Sequence, residues 1–258
     1  MFKEEKIIAD WSADMYEIDE TETADVEFLL NCLGTTPKRI LEIACGNGRI
    51  LVPLAKAGHT AVGLDMDEAM LQKIPAKAEG VDNITWQMAD AILDNWGNGY
   101  DVVVIAGNFL MNIVSKESPE DAQKVLIEKA KSALKPGGML YIDYNHTYYP
   151  KQWYVYPGER IIWQGTDSHG TSGKMLLSDS TYETETGLIR STRRYEFETA
   201  AREKIRKEIP SVKHFVSLEQ LHTWLNAAGF RIEEEYGDYA GNPICEATGR
   251  AIICAILM

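Results

Sequence analysis

The chain has 258 residues, which fits one large α/β domain or a domain carrying a sizeable insertion. Apolar residues make up 45% of it, so a full core can form, while the net charge of −13 sets the surface against phosphate backbones and disfavours nucleic acid as a partner. Cys32, Cys45, Cys245 and Cys254 form no CxxC pair and no zinc spacing, residues 1–6 lack the apolar core of a signal peptide, and no apolar run is long enough to span a bilayer. Free thiols, no metal, no membrane partner and a cytoplasmic place are therefore expected.

Residues 1–20 are rich in acids and aromatics with weak periodicity. From 21 to 33 apolar residues (Val26, Phe28, Leu29, Leu30, Leu33) fall at helical spacing, and Gly34 supplies a stop. A buried strand is predicted at 39–44, a turn at 46–48, and a helix at 50–57 closed by Gly58. The alternation continues with a strand at 60–64, a helix at 68–78, and strands at 84–88 and 100–106. A helix at 118–134 ends before Pro136-Gly137-Gly138 and leads to a strand at 139–144. Strands alternating with helices predict a parallel sheet covered on both faces.

After Pro150 the texture changes. Segments 159–164, 174–184, 188–199 and 204–213 alternate with polar residues and are punctuated by turns, as antiparallel strands are. The basic stretch at 190–207 has Glu196, Glu198 and Glu203 interleaved, so it reads as a solvated strand pair. An amphipathic helix at 217–228 stops at Gly229, and two strands follow at 231–236 and 251–257. The expected fold is α/β: a Rossmann-like, doubly wound, mostly parallel seven-stranded sheet with an antiparallel β-rich insertion. Within a single domain, 1–35 would be an N-terminal helical lid and 36–146 a cofactor-binding core. Residues 147–214 would be the substrate-side insertion, and 215–258 the helix and strands that complete the sheet.

In an open parallel sheet, ligands bind beyond the carboxyl ends of the strands, where strand order reverses. The first strand-to-helix turn here reads Glu42-Ile-Ala-Cys-Gly-Asn-Gly-Arg49. Gly46 and Gly48 let the backbone turn tightly and approach a ligand with no Cβ in the way. Glu42 at the strand end is placed to position that loop or to meet a cationic group. Leu51 stands where a dinucleotide loop wants its third glycine, and the GK[ST] of a phosphate loop is absent. Asp65 ends the next strand, where a carboxylate can accept both hydroxyls of a ribose. Asp90 follows the third strand, placed to accept from an adenine amino group. Asp65 and Asp90 would otherwise be helix N-caps. Cys45 has no base beside it and reads as a small filler.

With LEIACGNG, VGLDMDEAM, MADAIL, YDVVVIAGNFLMNI and ALKPGGMLYIDY in order over 39–144, the chain resembles the class I methyltransferases that use S-adenosyl-L-methionine and release S-adenosyl-L-homocysteine. The run 215–242 resembles the end of many bacterial members. Ala44 departs from the pattern, since many members carry the loop's first glycine there. The resemblance implies that Gly46 and Gly48 pass under the methionine part and that Ala44 gives a backbone contact. It also implies that Asp65 holds the ribose, Met66 flanks the adenine, Asp90 and Ala91 line its edge, and Ala106 faces the sulfonium. Tyr16 would cap the cofactor from the N-terminal segment.

The stretch 105–113, with Asn108, bears a more distant likeness to the glycine/sarcosine N-methyltransferases. Those hold an amino-acid carboxylate with an Arg-Asn-Tyr set after the fifth strand. Here the place reads Tyr144-Asn145-His146, without the arginine. His146 is the candidate general base, because its ordinary pKa lies near neutrality, with Tyr144 beside it as a second catalytic candidate. The aromatics Tyr144, Tyr148, Tyr149, Trp153, Tyr154, Tyr156 and Trp163 predict either a cage for a cationic amine, a stack for a planar acceptor, or a small core of the insertion. Of Arg193 and Arg194, alternation lets only one face a cleft; Arg193 is taken as the candidate. Substrate candidates are thus Asn108, Tyr144, Asn145, His146, Tyr148 and Arg193. The expected function is methyl transfer to a nitrogen or oxygen of a small molecule by a monomer or homodimer. The alternatives are an RNA or protein methyltransferase, or a non-catalytic cofactor-binding protein.

Overall fold

The computed structural model describes residues 3–258. Helices α1 (Lys3–Asp19) and α2 (Ala24–Leu33) precede β1 (Arg39–Ile43), α3 (Leu51–Lys56) and β2 (Thr60–Asp65). Then come α4 (Glu68–Leu71), α5 (Ile74–Lys77), β3 (Ile84–Met88), β4 (Tyr100–Ile105), a 3-10 turn (Phe109–Met111) and α6 (Pro119–Ala133). Strand β5 (Leu134–Asn145) leads through α7 (Pro150–Tyr154) to β6 (Tyr156–Thr166), β7 (Ser172–Glu183), β8 (Leu188–Glu198) and β9 (Lys204–His214). Helix α8 (Leu218–Ala228) and strands β10 (Phe230–Tyr236) and β11 (Arg250–Leu257) close the chain.

These elements form two compact units. The larger comprises 23–148 and 216–258. Its sheet has the order β10-β11-β5-β4-β1-β2-β3. Strands β1 to β5 pair in parallel, and β11 runs antiparallel to both β5 and β10. The central strands are apolar on both faces, as parallel strands covered by helices must be: Ile40, Leu41, Ile43 and Val102 to Ile105 are all buried. The chain runs outward through β1, β2 and β3 and returns to β4 on the other side of β1. That reversal creates a crevice beyond the carboxyl ends of β1 and β4. The seven-stranded, mostly parallel sheet expected from the sequence is what forms.

The smaller unit comprises the chain up to Glu22 and 149–215. Its antiparallel sheet has the order β6-β7-β8-β9. Helix α1 packs on it through Ile8, Trp11 and Met15, against Met175, Tyr195, Phe197 and Ile205. The Trp11 ring centroid lies 4.6 Å from that of Phe197. Helix α2 instead buries Val26, Leu29 and Leu33 in the core of the larger unit, with Leu51 and Leu54. The segment 1–35, expected as one lid, is therefore split near Thr23 between two cores.

Three local departures have physical causes. The helix expected over 68–78 is two short turns, because Pro75 lacks the N–H that would bond back across the break. Strand β5 begins at Leu134 and takes in Pro136-Gly137-Gly138, bulging where its register with β4 shifts between Tyr100 and Val102. Helix α7, five residues from Pro150, was not expected.

Candidate functional site

The loop after β1 turns through three left-handed residues, Ala44 (φ 58°), Gly46 (φ 52°) and Gly48 (φ 77°). At Ala44 that conformation costs about 1–2 kcal/mol for a residue with a Cβ. A Cβ on Gly48 would stand 3.1 Å from both Ile74 and Val52. The loop is held from β2. Gly46 N donates to Asp65 Oδ2 at 2.7 Å, and Asp67 N donates to Asp65 Oδ1 at 2.8 Å. The helix cap belongs to Asp67, whose Oδ1 accepts from Ala69 N at 3.0 Å. Asp65 is thus a loop anchor as well as a candidate ligand, a role not visible in the sequence. Burial raises the Asp65 carboxyl, and the two amide bonds oppose this. Cys45 packs under β2: a Cβ on Gly63 would lie 2.6 Å from its sulfur. Burial pushes its thiol up, so it is a filler and not a nucleophile.

Glu42, one residue before the end of β1, is only 3% exposed. Its Oε2 has no hydrogen-bond partner among the described residues. Burial raises its carboxyl well above the ordinary range, and the nearby Arg49 charge opposes this. Arg49, at the loop's far end, donates to both oxygens of Asp25 on α2, at 2.7 and 2.6 Å. The Asp25 carboxylate also accepts the Val26 amide. This buried fork ties the first turn of α2 to the glycine loop, and neither residue was singled out in the sequence.

Beside the loop lies a crevice lined by Ala44, Asp65, Met66, Asp90 and Ala91, all five expected as cofactor contacts. Ile92, Phe109, Ile113 and Val114 add apolar lining to it, and sequence reasoning missed them. The apolar run after β4 was the available signal. Asp90 Oδ1 accepts from Ile92 N at 2.7 Å and Leu93 N at 3.1 Å, so it shapes the turn it lines. An apolar slot bounded by two carboxylates has the chemistry to hold a flat purine and its ribose. Ala106, expected to face a sulfonium, is buried at the end of β4.

Between the ends of β4 and β5, Asn108 stands in the left-handed region (φ 63°). Its N donates to Asp143 O at 3.3 Å, and its Oδ1 accepts from Asn145 N at 3.0 Å. The Asp143 carboxylate accepts from Arg250 Nη1 and, at 2.8 Å, from Tyr239 Oη. Arg250 also reaches Asn145 Oδ1 at 3.4 Å. An arginine is thus present beside the Tyr144-Asn145-His146 stretch, supplied by β11. His146 is buried, with its ring edge-on to Tyr148 at 5.0 Å and 6.1 Å from the buried Tyr144. Burial lowers its pKa below the ordinary value near 6.5, and His222 adds to this.

The aromatic run does not form one cage. Tyr154 packs on Phe215, Tyr156 lies under Arg160, and Trp163 joins the α1 cluster. Trp153 and Tyr149 are exposed. Tyr16, expected as a cofactor cap, belongs to the smaller unit, where its ring meets Trp163 edge-on at 6.4 Å. Arg193 lies on the β8 face that carries Tyr195 and Phe197, while Arg194 lies on the opposite face, paired with Glu159 and Glu196.

Comparison with known proteins bears on the same residues. Residues 40–138 match a family described as methyltransferase domain. Glycine N-methyltransferase of Rattus norvegicus is 25% identical over 138 residues, covering 49% of this chain and 47% of that protein. The chain spans about half the length of the curated relatives it matches. An S-adenosylmethionine-dependent methyltransferase from Clostridium acetobutylicum has a TM-score of 0.73 at 16% identity, covering 98% of both chains. The sugar N-methyltransferase KedS8 from Streptoalloteichus has a TM-score of 0.66 at 18% identity, covering 92% of this chain and 90% of that one. Both likenesses are of fold.

Proposed function

We propose that this chain is a class I methyltransferase that uses S-adenosyl-L-methionine to methylate a nitrogen or oxygen of a small-molecule acceptor, a reading supported by its methyltransferase-domain match and its fold. The observation that carries the reading is Glu42. A buried carboxyl with an unpartnered oxygen, on the strand that leads into a glycine loop, fits a ligand that brings a cation to the loop. The methionine ammonium is such a cation. Asp65 keeps lone pairs for the ribose hydroxyls after bonding Gly46 and Asp67. Phe109, Ile113 and Met66 flank the adenine, and Asp90 and Ala91 meet its edge. Gly46, Gly48 and Ala44 give the methionine part close backbone approach.

When bound, the cofactor supplies a methyl group already activated by the sulfonium. The protein's work is then positioning and exclusion of water. Asn108 and Asn145, fixed to each other, hold the two strand ends between which an acceptor would sit. His146, kept neutral by burial, takes the proton that an ammonium or hydroxyl acceptor must lose. Tyr144 and Tyr148 hold the imidazole in place. Relatives named for nitrogen, such as glycine N-methyltransferase, and for oxygen, such as ubiquinone biosynthesis O-methyltransferase, keep both acceptor atoms in the reading.

Incubation with cell extract and methyl-labelled cofactor tests this. Label in a small molecule, at nitrogen or oxygen, is the expected result. Label confined to RNA or protein overturns the acceptor class, and binding without any labelled product overturns catalysis. Absence of cofactor binding by calorimetry overturns the whole reading.

A further inference from the structure

Two of the four cysteines meet between α2 and the larger sheet. Cys32 lies in the last turn of α2, and Cys254 lies in β11. The helix covers the sheet face that carries Ile252 and Cys254, since Val26, Leu29 and Leu33 share one core cluster with both. Phe28, one turn before Cys32, packs edge-on against Tyr236 of β10, with ring centroids 5.2 Å apart. Tyr236 pairs with Ile252, and Cys254 is the next residue on that face of β11. One helical turn advances about 5 Å and two strand residues about 7 Å, so the contact of Phe28 with Tyr236 sets Cys32 beside Cys254. The two thiols hydrogen-bond to each other.

The pair is asymmetric. Cys254 is only 3% exposed, whereas Cys32 is half-buried. A thiolate is tolerated where water or a donor reaches it and is disfavoured in an apolar interior. The hydrogen bond from Cys254 lowers the Cys32 thiol, with burial and then the Glu234 charge opposing it. The same bond, and then burial, push the Cys254 thiol up. Cys32 is therefore the nucleophile of the two. Tyr141, opposite Cys254 in the sheet register, adds a third polar group to the cluster. Its hydroxyl is buried and has no hydrogen-bond partner among the described residues. The other two cysteines lie elsewhere: Cys45 packs against Gly63 of β2, and Cys245 is exposed on the loop before β11.

We propose that Cys32 and Cys254 form a redox modification site, which a hydroperoxide closes into a reversible intramolecular disulfide. The Cys32 thiolate attacks an oxygen of the peroxide and the O–O bond breaks. The departing oxygen takes up a proton, and Cys32 is left as a sulfenic acid. The Cys254 sulfur then attacks the Cys32 sulfur, and the sulfenic oxygen leaves as water with the Cys254 proton. The two thiols together lose two electrons, and the peroxide accepts them. Thiols already in hydrogen-bond contact have a short approach to the sulfur–sulfur bond of about 2 Å. A dithiol reverses the step by exchange. The bond fastens the last turn of α2 to β11, and the first turn of that helix holds Arg49 of the glycine loop through Asp25. The proposal stands on the larger unit alone and does not depend on the methyl-transfer reading.

Treatment of the full chain with hydrogen peroxide, alkylation of the remaining thiols and tryptic mapping without reductant test it. The expected product joins 7–38 to 251–258, peptides that hold one cysteine each, and dithiothreitol parts them. Cys254→Ala removes the resolving thiol, so Cys32 stays a sulfenic acid that dimedone labels. Cys32→Ser leaves Cys254 unlabelled, because the nucleophile is gone. Cys245→Ser, on the exposed loop, gives the same linked pair in the same yield. The assignment is overturned if the two peptides stay unlinked in the peroxide-treated parent, if Cys32 pairs with Cys245 instead, or if dimedone labels Cys254 in the Cys32 variant.

Discussion

Gly46 donates its amide hydrogen to the Asp65 carboxylate across 2.7 Å, joining the loop after β1 to the end of β2. One side chain therefore shapes the loop that a cofactor would lie on and offers its remaining lone pairs to that cofactor. Alanine at position 65 removes both roles, and asparagine separates them. Asp65→Ala is expected to weaken S-adenosylmethionine by at least about tenfold and to destabilise the fold by about 1–2 kcal/mol, since two backbone amides lose their acceptor. Asp65→Asn retains one acceptor oxygen, so it keeps more of the stability while still losing affinity. Calorimetry and urea unfolding on both variants check this. An unchanged dissociation constant in the alanine variant refutes the ribose assignment.

Glu42 sets stability against binding. Burial raises its carboxyl above the ordinary 4.5, so between that value and the folded one the folded chain holds a proton that the unfolded chain has released. Stability contributed at this position therefore falls as pH rises through that window. Glu42→Gln removes the titration. The cofactor-free variant is expected to be more stable than the parent at neutral pH, by about 1–3 kcal/mol, because glutamine has no carboxyl whose charge must be buried or held protonated there. Its affinity for the cofactor should fall, because the partner of the ammonium is gone. Urea midpoints from pH 5 to 8, with and without cofactor, check both signs. A variant less stable than the parent at neutral pH would contradict the account of Glu42.

The strands of the larger sheet were legible because each is a short apolar run bounded by turn residues, and Tyr100–Ile105 is the clearest. Glu42, Asp65 and Asp90 were legible because an acid at the end of such a run has little reason to be there other than a ligand or a turn. What stayed hidden depends on pairings between distant segments. Nothing local in Asp25 announces Arg49, and nothing in Asp143 announces Arg250 or Tyr239, since these contacts join elements 24 to 107 residues apart. The assignment of α1 and α2 to different units was hidden for the same reason. Over residues 1–20 the periodicity is weak, and where it is clear, as in α2, it reports a buried face without naming the surface that buries it. The aromatics after Asp143 misled in the opposite way. Closeness in sequence suggested one cage, but strand alternation and the chain's passage from one unit to the other at Tyr148 separated them.

His146 makes the last prediction, through its pH dependence. Burial, aided by His222, lowers its pKa, so the folded chain resists protonation that the unfolded chain accepts near 6.5. Below that pH the unfolded state binds more protons, and stability falls as the solution is acidified. If His146 also takes the acceptor's proton, methyl transfer requires the neutral imidazole, and the rate declines on the acid side of a profile whose limb lies below pH 6.5. His146→Gln is expected to remove that acid limb and to lower kcat by about 100-fold for an acceptor that must be deprotonated, while cofactor affinity holds. The comparison should be made at saturating acceptor, with unfolding curves at each pH so that loss of fold is not read as loss of catalysis. An acid limb that persists in the glutamine variant assigns it to another group and leaves His146 as a packing residue between Tyr144 and Tyr148.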